Sequence, residues 1–441
     1  AYVRWALDWD DEPRTNGAAV DVGSDEYWAS GITGALTADI VVEFTNVTAG
    51  YALEFKTDIE GRARGFAWSF GDGAFDANNC LLSHVFQTAG VYAVVLEASN
   101  YTQSAAATVT VHVTGSAAHY VSPGGGHISP FTNWAMAATD IQAAVNVAGA
   151  GATIWVSNGV YDAGGVAGYP ASTNLLTNRV AIYKPVSVRS VYGPEVTIIK
   201  GSGSVGASAV RCVYITNGAS LMGFTLTNGA TWGGFEECVD RDGGGVLCMG
   251  YPVISNCVIS GNTAARFGGG AKGGLLYRSI LEGNAVLDSR GGGAYESVLE
   301  NCRIRGNRAN IDGGGVFQST LYNCLVTGNS VGYGGGGAAQ CTLYSSVLTG
   351  NSGGDSGGGA HECTLYNSIV YYNTAPTGPN VEFCEIWNSC ATPDPGGTGN
   401  ITNEPSFVDA GSGYGTNHVA GNYRLKAGSP CINTGTNQEW M

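Results

Sequence analysis

Charge is what this 441-residue sequence has least of: Asp, Glu, Lys and Arg make up 12% of it, about half the usual share. Its 20 Lys and Arg form no run able to neutralise a row of phosphates, which excludes nucleic acid as the expected partner. No apolar run approaches the roughly 18 residues of a membrane span. The first residue is Ala, with no basic-then-apolar leader, so the expectation is an exported protein, extracellular or at the cell surface, with its signal removed. What charge there is leans acidic, with 35 Asp and Glu and a formal net charge of −15. Asn, Ser and Thr supply the remaining polarity, and the length allows two or three domains with a large core.

Cysteine is present but patterned unlike a small disulfide scaffold. Of the twelve, Cys257, Cys302 and Cys324 share one repeat column with Ser279, Ser346 and Ser368, while Cys341 and Cys363 share a second. Interchange of Cys with Ser points to a small buried side chain. Two local pairs, Cys238 with Cys248 and Cys384 with Cys390, are spaced to close loops in an oxidising compartment. Zinc finds no CxxC or His pair.

Glycine is abundant, at 69 residues. The stretch "GGGVFQSTLYNCLVTGN" (313–329) suggests a phosphate loop, but it recurs as "GGGAAQCTLYSSVLTGN" (335–351) and "GGGAHECTLYNSIVYYN" (357–373), without the Lys-Ser/Thr such a loop needs. Glycine triplets start at 243, 268, 291, 313, 335 and 357, and each unit closes on Asn262, Asn284, Asn307, Asn329, Asn351 or Asn373. Side chains alternate with period two and β-branched residues are common, which excludes a helical repeat. A turn of about 22 residues holds three short strands and three corners, and stacking such turns about 4.8 Å apart builds a parallel β-helix. The repeated Asn then forms an internal ladder at one corner, and the triplet supplies a corner requiring positive φ and close backbone approach.

Before the repeat, residues 1–38 are unassigned; Asp8, Asp10, Asp11 and Glu12 compose either a calcium loop or a solvated acidic turn. Residues 39–114 alternate as short strands, giving a small β-sandwich. "MAATDIQAAVNVA" (136–148) predicts a helix with Ile141, Ala144, Val145 and Ala148 on one face, placed to cap the first coil of a β-helix over 115–390. Residues 391–441 form a closing segment.

Two resemblances follow from these residues. "FAWSFGDG" (66–73) with "SHVFQTAGVYAVVLEASN" (83–100) resembles the PKD domain, which implies Trp68, Phe70 and Tyr92 in core or corner packing and Asp72 and Gly73 in a turn. The "HYVSPGGGHISP…" opening from His119, the GGG/LYNC/GN repeats and "YRLKAGSPCINTG" together resemble right-handed parallel β-helix proteins of the pectate-lyase-like superfamily. More narrowly, the chain is similar to exported PKD–β-helix proteins of the verrucomicrobial type, whose members continue past "NQEWM", so a processed or trimmed form is expected. The expected fold is all-β: an N-terminal PKD-like sandwich, a short capping α-helix and a right-handed parallel β-helix.

That superfamily contains polysaccharide lyases and glycoside hydrolases, whose chemistry needs a carboxylate cluster. "EECVDRD" offers Glu236, Glu237, Asp240, Arg241 and Asp242; Glu236, Asp240 and Asp242 are the candidate metal ligands, with calcium the one cofactor considered. His361, Glu362 and Asp355 form a second group. Tyr277, Tyr322, Tyr344 and Tyr366 share a column broken by Glu300, readable as a sugar-stacking platform or as stacking along the solenoid. With the Cys/Ser column inward, Val258, Ile280, Leu325, Val347 and Ile369 face outward, Arg303 being the exception. Such an apolar stripe calls for a cover, by another part of the chain or a second copy. The sequence therefore points to a non-catalytic structural or adhesive protein that self-associates, with polysaccharide binding or degradation as the alternative.

Overall fold

The computed structural model describes residues 32–115, 117–171, 176–234, 238–394 and 396–437. It divides into two compact units, meeting in sequence at Gly115/Ser116.

In the first unit, Thr37–Val42, Ala52–Glu60 and Leu81–Val85 form one antiparallel sheet. Asn46–Thr48, Ser104–Thr114, Gly90–Ser99, Gly65–Ser69 and Phe75–Ala77 form a second, five-stranded sheet. Phe55 of the first sheet meets Trp68 and Phe70 of the second at ring distances of 6.0 and 5.7 Å, and these three rings are buried. Asp72 Oδ1 accepts from Ala74 N–H, and its other oxygen lies 2.8 Å from His84 Nε2, whose ring stacks on Phe70 at 4.0 Å. One hydrogen-bonded turn thereby orients the aromatic core.

The second unit is a solenoid whose coils are typified by residues 313–331. Val316–Phe317 lies on a first face of nine stacked strands, and Thr320–Tyr322 on a second face of eleven. Leu325–Thr327 lies on a third face of ten, and Ser330–Val331 on a short fourth face of five. Every strand in the four stacks pairs in parallel with its neighbour one coil away; Leu321, for example, lies between Leu299 and Leu343. Val316, Leu321 and Val326 point inward and are fully buried in one continuous core.

A coil therefore has four strands and four corners, rather than the three of each expected from its length. Each corner carries one residue at positive φ: Gly313 (63°), Gln318 (47°), Asn323 (50°) and Gly328 (63°). The glycines marked two corners in the sequence; the Gln318 column, with Glu296, Gln340 and Glu362, holds no residue typical of left-handed geometry and hid a third, while the Asn323 column, shared by Asn256, Asn301, Asn367 and Asn388, carried its signal in asparagine. Gly314 and Gly315 are needed for a different reason. A Cβ on Gly315 would meet the Asn329 amide at 3.1 Å and crowd the carbonyl of Gly337 in the next coil.

The helix is shorter than the sequence suggested, Ile141–Val147, with Asp140 capping it by accepting from Ala143 N–H at 2.8 Å. The residues before it are captured by the first edge: Ala138 N–H donates to Tyr120 O and Ala138 O accepts from Ser122 N–H. Ile141, Ala144, Val145 and Ala148 still pack into the solenoid core. At the other end, residues 396–432 close the last coil and fold back along the third face. Gly415 N–H donates to Gly350 O at 2.8 Å, and Tyr372 meets Phe407, which packs on Tyr423.

Candidate functional site

The repeated polar columns are occupied with one another. Asn329 Oδ1 accepts from the Asn307 backbone N–H and Asn307 Nδ2, each at 2.9 Å. Asn329 Nδ2 donates to Ile304 O and Asn351 Oδ1, each at 3.0 Å. The same pattern runs from Asn262 through Asn284 and Asn307 to Asn351 and Asn373, and ends on Asn380, whose Nδ2 donates to Thr392 O. All four amide hydrogen-bonding positions are filled inside the protein, so this column presents nothing to a ligand.

The Cys and Ser columns form two further ladders. Ser297 N–H donates to Ser319 Oγ, Ser319 N–H to Cys341 Sγ, Cys341 N–H to Cys363 Sγ and Cys363 N–H to Cys384 Sγ, over 3.1–3.4 Å. At the next corner, Cys257 donates to Ser279, Ser279 to Cys302, Cys324 to Ser346, Ser346 to Ser368 and Ser368 to Ser389. Each side chain also donates to a carbonyl two residues back, as Ser346 Oγ does to Tyr344 O. Cys and Ser interchange because both can accept one corner N–H and return one donor. The twelve cysteines are thiols. Cys384 accepts from Cys363 N–H and Cys390 Sγ donates to Asn403 O, so the local pairing of Cys384 with Cys390 is not formed, nor is that of Cys238 with Cys248.

Of the carboxylates proposed as metal ligands, Glu236 lies outside the described residues, as do Glu237 and the Asp8–Glu12 group. Asp240 and Asp242 are buried, at 1% and 0% exposure. Both Asp242 oxygens are taken by Arg266, Nε and Nη2 each donating at 2.9 Å. Burial pushes the Asp242 carboxyl up, with Arg266 pulling against it. Arg211, fully buried below, donates to the carbonyls of Val239, Asp242 and Gly243 and to Asn178 Oδ1; burial lowers its guanidinium to about 10. Arg241 reaches Asp288 at 3.1 Å. This network clamps the 238–242 turn onto the coil, and Asp242 is fully buried with its charge paired to Arg266 rather than presented at the surface. The residues Asp355, His361 and Glu362 do not converge either: Glu362 accepts from Gln340 while His361 packs against Phe383. No group of three or more His, Cys, Asp or Glu suited to a metal occurs among the described residues.

The tyrosine column stacks. Tyr322 lies 5.0 Å from Tyr344 at 5° between ring planes, Tyr344 lies 5.1 Å from Tyr366, and Tyr366 lies 5.0 Å from Trp387, a fourth member absent from the sequence reading. Tyr277 is separated from them by Glu300. Rings stacked in this way cover one another's faces, the surfaces a sugar would need. Val258, Ile280, Leu325, Val347 and Ile369 point outward from the third face and are half-buried. Part of their cover is the fold-back of the chain's own closing segment: Leu325 shares a groove with residues 420–424.

That groove is the feature which column reading missed. The coil 291–312 breaks the outward columns of its neighbours, with Arg303 in place of an apolar residue, Glu300 in place of Tyr, and Arg305 where later coils carry Thr327 and Thr349. The fold-back sets Tyr423 and Arg424 against Arg303 and Arg305 across a groove of about 410 Å³. It continues into a second groove of about 470 Å³ past Glu282, Gly415 and His418, the two sharing Arg305, Thr327 and Ala420. Arg305 Nε donates to Glu282 Oε2 at 2.7 Å, and His418 Nε2 lies 2.7 Å from the Tyr423 hydroxyl, which burial holds above the usual phenol value. The broken column was visible in the sequence; the approach of residue 424 to residue 303 was not.

Fold and site together define a parallel β-helix preceded by a PKD β-sandwich, for residues 37–115 match the family model of the PKD domain. The comparison with curated proteins finds no match to this chain. Among solved structures, pectate lyase Pel9A is similar at 15% identity and a TM-score of 0.46, covering 74% of this chain and 92% of that one. An alginate lyase from Paenibacillus sp. is similar at 11% identity and a TM-score of 0.28, covering 56% and 96%. A carbohydrate-binding module of the β-sandwich superfamily is similar at 20% identity and a TM-score of 0.18, covering 20% of this chain and 37% of that one.

Proposed function

We propose that the chain is an exported, non-catalytic structural and adhesive protein, in which the β-helix is a stiff surface bearing a PKD module. The observation that carries this reading is where the described acids of the 236–242 set end up. Asp240 and Asp242 are sealed under the surface and Asp242 is held by Arg266, while the conspicuous columns are consumed in Asn, Ser/Cys and aromatic ladders. A residue engaged on all sides in a ladder stabilises the fold and has no proton or lone pair to give a substrate.

Within this reading, copies associate side by side through the first two members of the outward apolar column, Val258 and Ile280. Light scattering and negative-stain electron microscopy test it: oligomers or filaments are expected, reverting to monomer in Val258→Glu/Ile280→Glu. A monomer at all concentrations would refute the assembly. The polysaccharide alternative keeps one observation in its favour, the arginine-lined groove, and it enters as binding rather than turnover.

A further inference from the structure

We propose that Cys390 and Cys431 form an oxidation site: given a disulfide donor, they join in a disulfide that staples the closing segment to the last coil. The exported reading enters only as the source of such a donor; the pairing itself belongs to the fold.

Cys390 is the next member of the outward column of the third face, which runs Val258, Ile280, Arg303, Leu325, Val347 and Ile369 before it. No serine stands in that column, so the Cys/Ser interchange of the inward ladders does not account for this cysteine. The ladder beside it ends one residue earlier, where Ser389 Oγ accepts from Ser368 N–H. Although it points outward, Cys390 is only 2% exposed.

The closing segment is what covers it. Cys390 Sγ lies 3.2 Å from Asn403 O. Two residues on, Pro405 O accepts from Ser429 Oγ, which itself accepts from Cys431 N–H at 3.3 Å. Ser406 O accepts from Lys426 N–H at 2.9 Å, and Phe407 pairs with Leu425. The stretch 403–407 therefore holds Cys390 on one side and residues 425–431 on the other. The two cysteine side chains meet there in a hydrogen bond.

Their inequality suits thiol–disulfide exchange. Cys431 is half-buried and Cys390 buried. The hydrogen bond from Cys390, with another from Ser429, holds the Cys431 thiol below its ordinary value against burial; the same bond and burial raise Cys390. The thiolate is the attacking species. Cys431 attacks one sulfur of the donor, whose S–S bond breaks; one half leaves as a thiolate and a mixed disulfide remains. Cys390 then gives up its proton and attacks Cys431 Sγ, expelling the second half. Both protein protons end on the two released thiols, and the electron pair lost by the protein reduces the donor.

The inward cysteines are placed differently. Cys302, Cys363 and Cys384 each accept a backbone N–H from the preceding coil, and drawing a sulfur into a bridge would orphan that buried donor. A staple at Cys431 has a structural use as well. Within residues 422–432 only Ser429 is buried, so few packed side chains hold this stretch down. A disulfide enclosing residues 390–431 supplies that hold at the end of a solenoid, where the last coil needs a cover.

The reduced full chain is incubated with oxidised glutathione, acid-quenched, and digested with pepsin without reduction for mass spectrometry. A linked pair of peptides carrying Cys390 and Cys431, two hydrogens lighter than their sum, is expected. Reductant should separate the pair, and Cys431→Ser, a conservative change at a half-buried position, should lack it. Amide hydrogen exchange over 422–432 should slow about tenfold or more on oxidation of the unsubstituted chain, and stay unchanged in Cys431→Ser. Linkage of Cys390 to Cys384, a glutathione adduct that persists on Cys431, two unmodified thiols, or a link without slowed exchange would each overturn the proposal. Because the donor is added, such a failure would leave the exported reading where it stands.

Discussion

Asn307 and Asn329 lie one coil apart at the same corner, and Asn329 Oδ1 accepts both the side-chain and the backbone N–H of Asn307 at 2.9 Å. The fold is built from this unit. A solenoid corner turns backbone N–H groups inward, where no water can meet them, and each such group left unpaired costs about 1–3 kcal/mol.

Replacing Asn329 by Ala removes two acceptor contacts and two donor contacts at once. A loss of at least about 3 kcal/mol is expected in urea denaturation, against less than about 0.5 kcal/mol for Thr320→Ala on the outward side of the same coil. Equal effects would show that the ladder is a bystander.

The Ser/Cys ladders make a different prediction. Ser346 accepts the Cys324 N–H at 3.0 Å and donates to Tyr344 O. Ser346→Cys should leave the midpoint nearly unchanged, while Ser346→Ala, which removes the oxygen without adding volume, should cost about 1–3 kcal/mol by orphaning that N–H. If Ala is tolerated as well as Cys, the hydrogen bond contributes nothing to the column.

Thiol labelling at pH 8 checks the same interior. Burial pushes Cys212 up to about 12 and Cys257 up to about 11, and both lie in the core. They should react only after unfolding, whereas Cys80, exposed in the sandwich, reacts first.

The sandwich has its own acid limit. Burial raises the Asp72 carboxyl, but hydrogen bonds from Ala74 N–H and His84 outweigh it and leave the group below its ordinary value. Its folded value is thus below the unfolded one, near about 4, so its stabilisation is present above that pH and fades as pH falls through the folded value. Hydrogen exchange of residues 66–86, corrected for intrinsic rates, should show protection lost on acidification below about pH 4. Asp72→Asn should lack that transition.

Much of this architecture was legible because stacking makes every coil repeat its neighbour. The Asn262-to-Asn373 column, the glycine triplets and the inward Leu276-to-Leu365 column are one-dimensional patterns, and a period exposes them. The helix start was misplaced because Ala138 satisfies helix propensity yet finds a better partner in the edge strand at Tyr120 and Ser122. The buried state of Asp242 and the groove at Arg303 stayed hidden for a related reason. Arg266 lies one coil on from Asp242 but pairs with it only at that one step, so no column repeats the contact, and the fold-back around Arg424 lies outside the repeat and far from Arg303 in sequence.

The central claim is that this β-helix holds rather than cuts. It is tested most directly by incubating the full chain with polygalacturonate, alginate and neutral glucans, with and without added calcium, while following new reducing ends and unsaturated-uronate absorbance. The account predicts no product from any of them, even where the polymer is retained. Product formation abolished by Asp240→Asn or Asp242→Asn would contradict it.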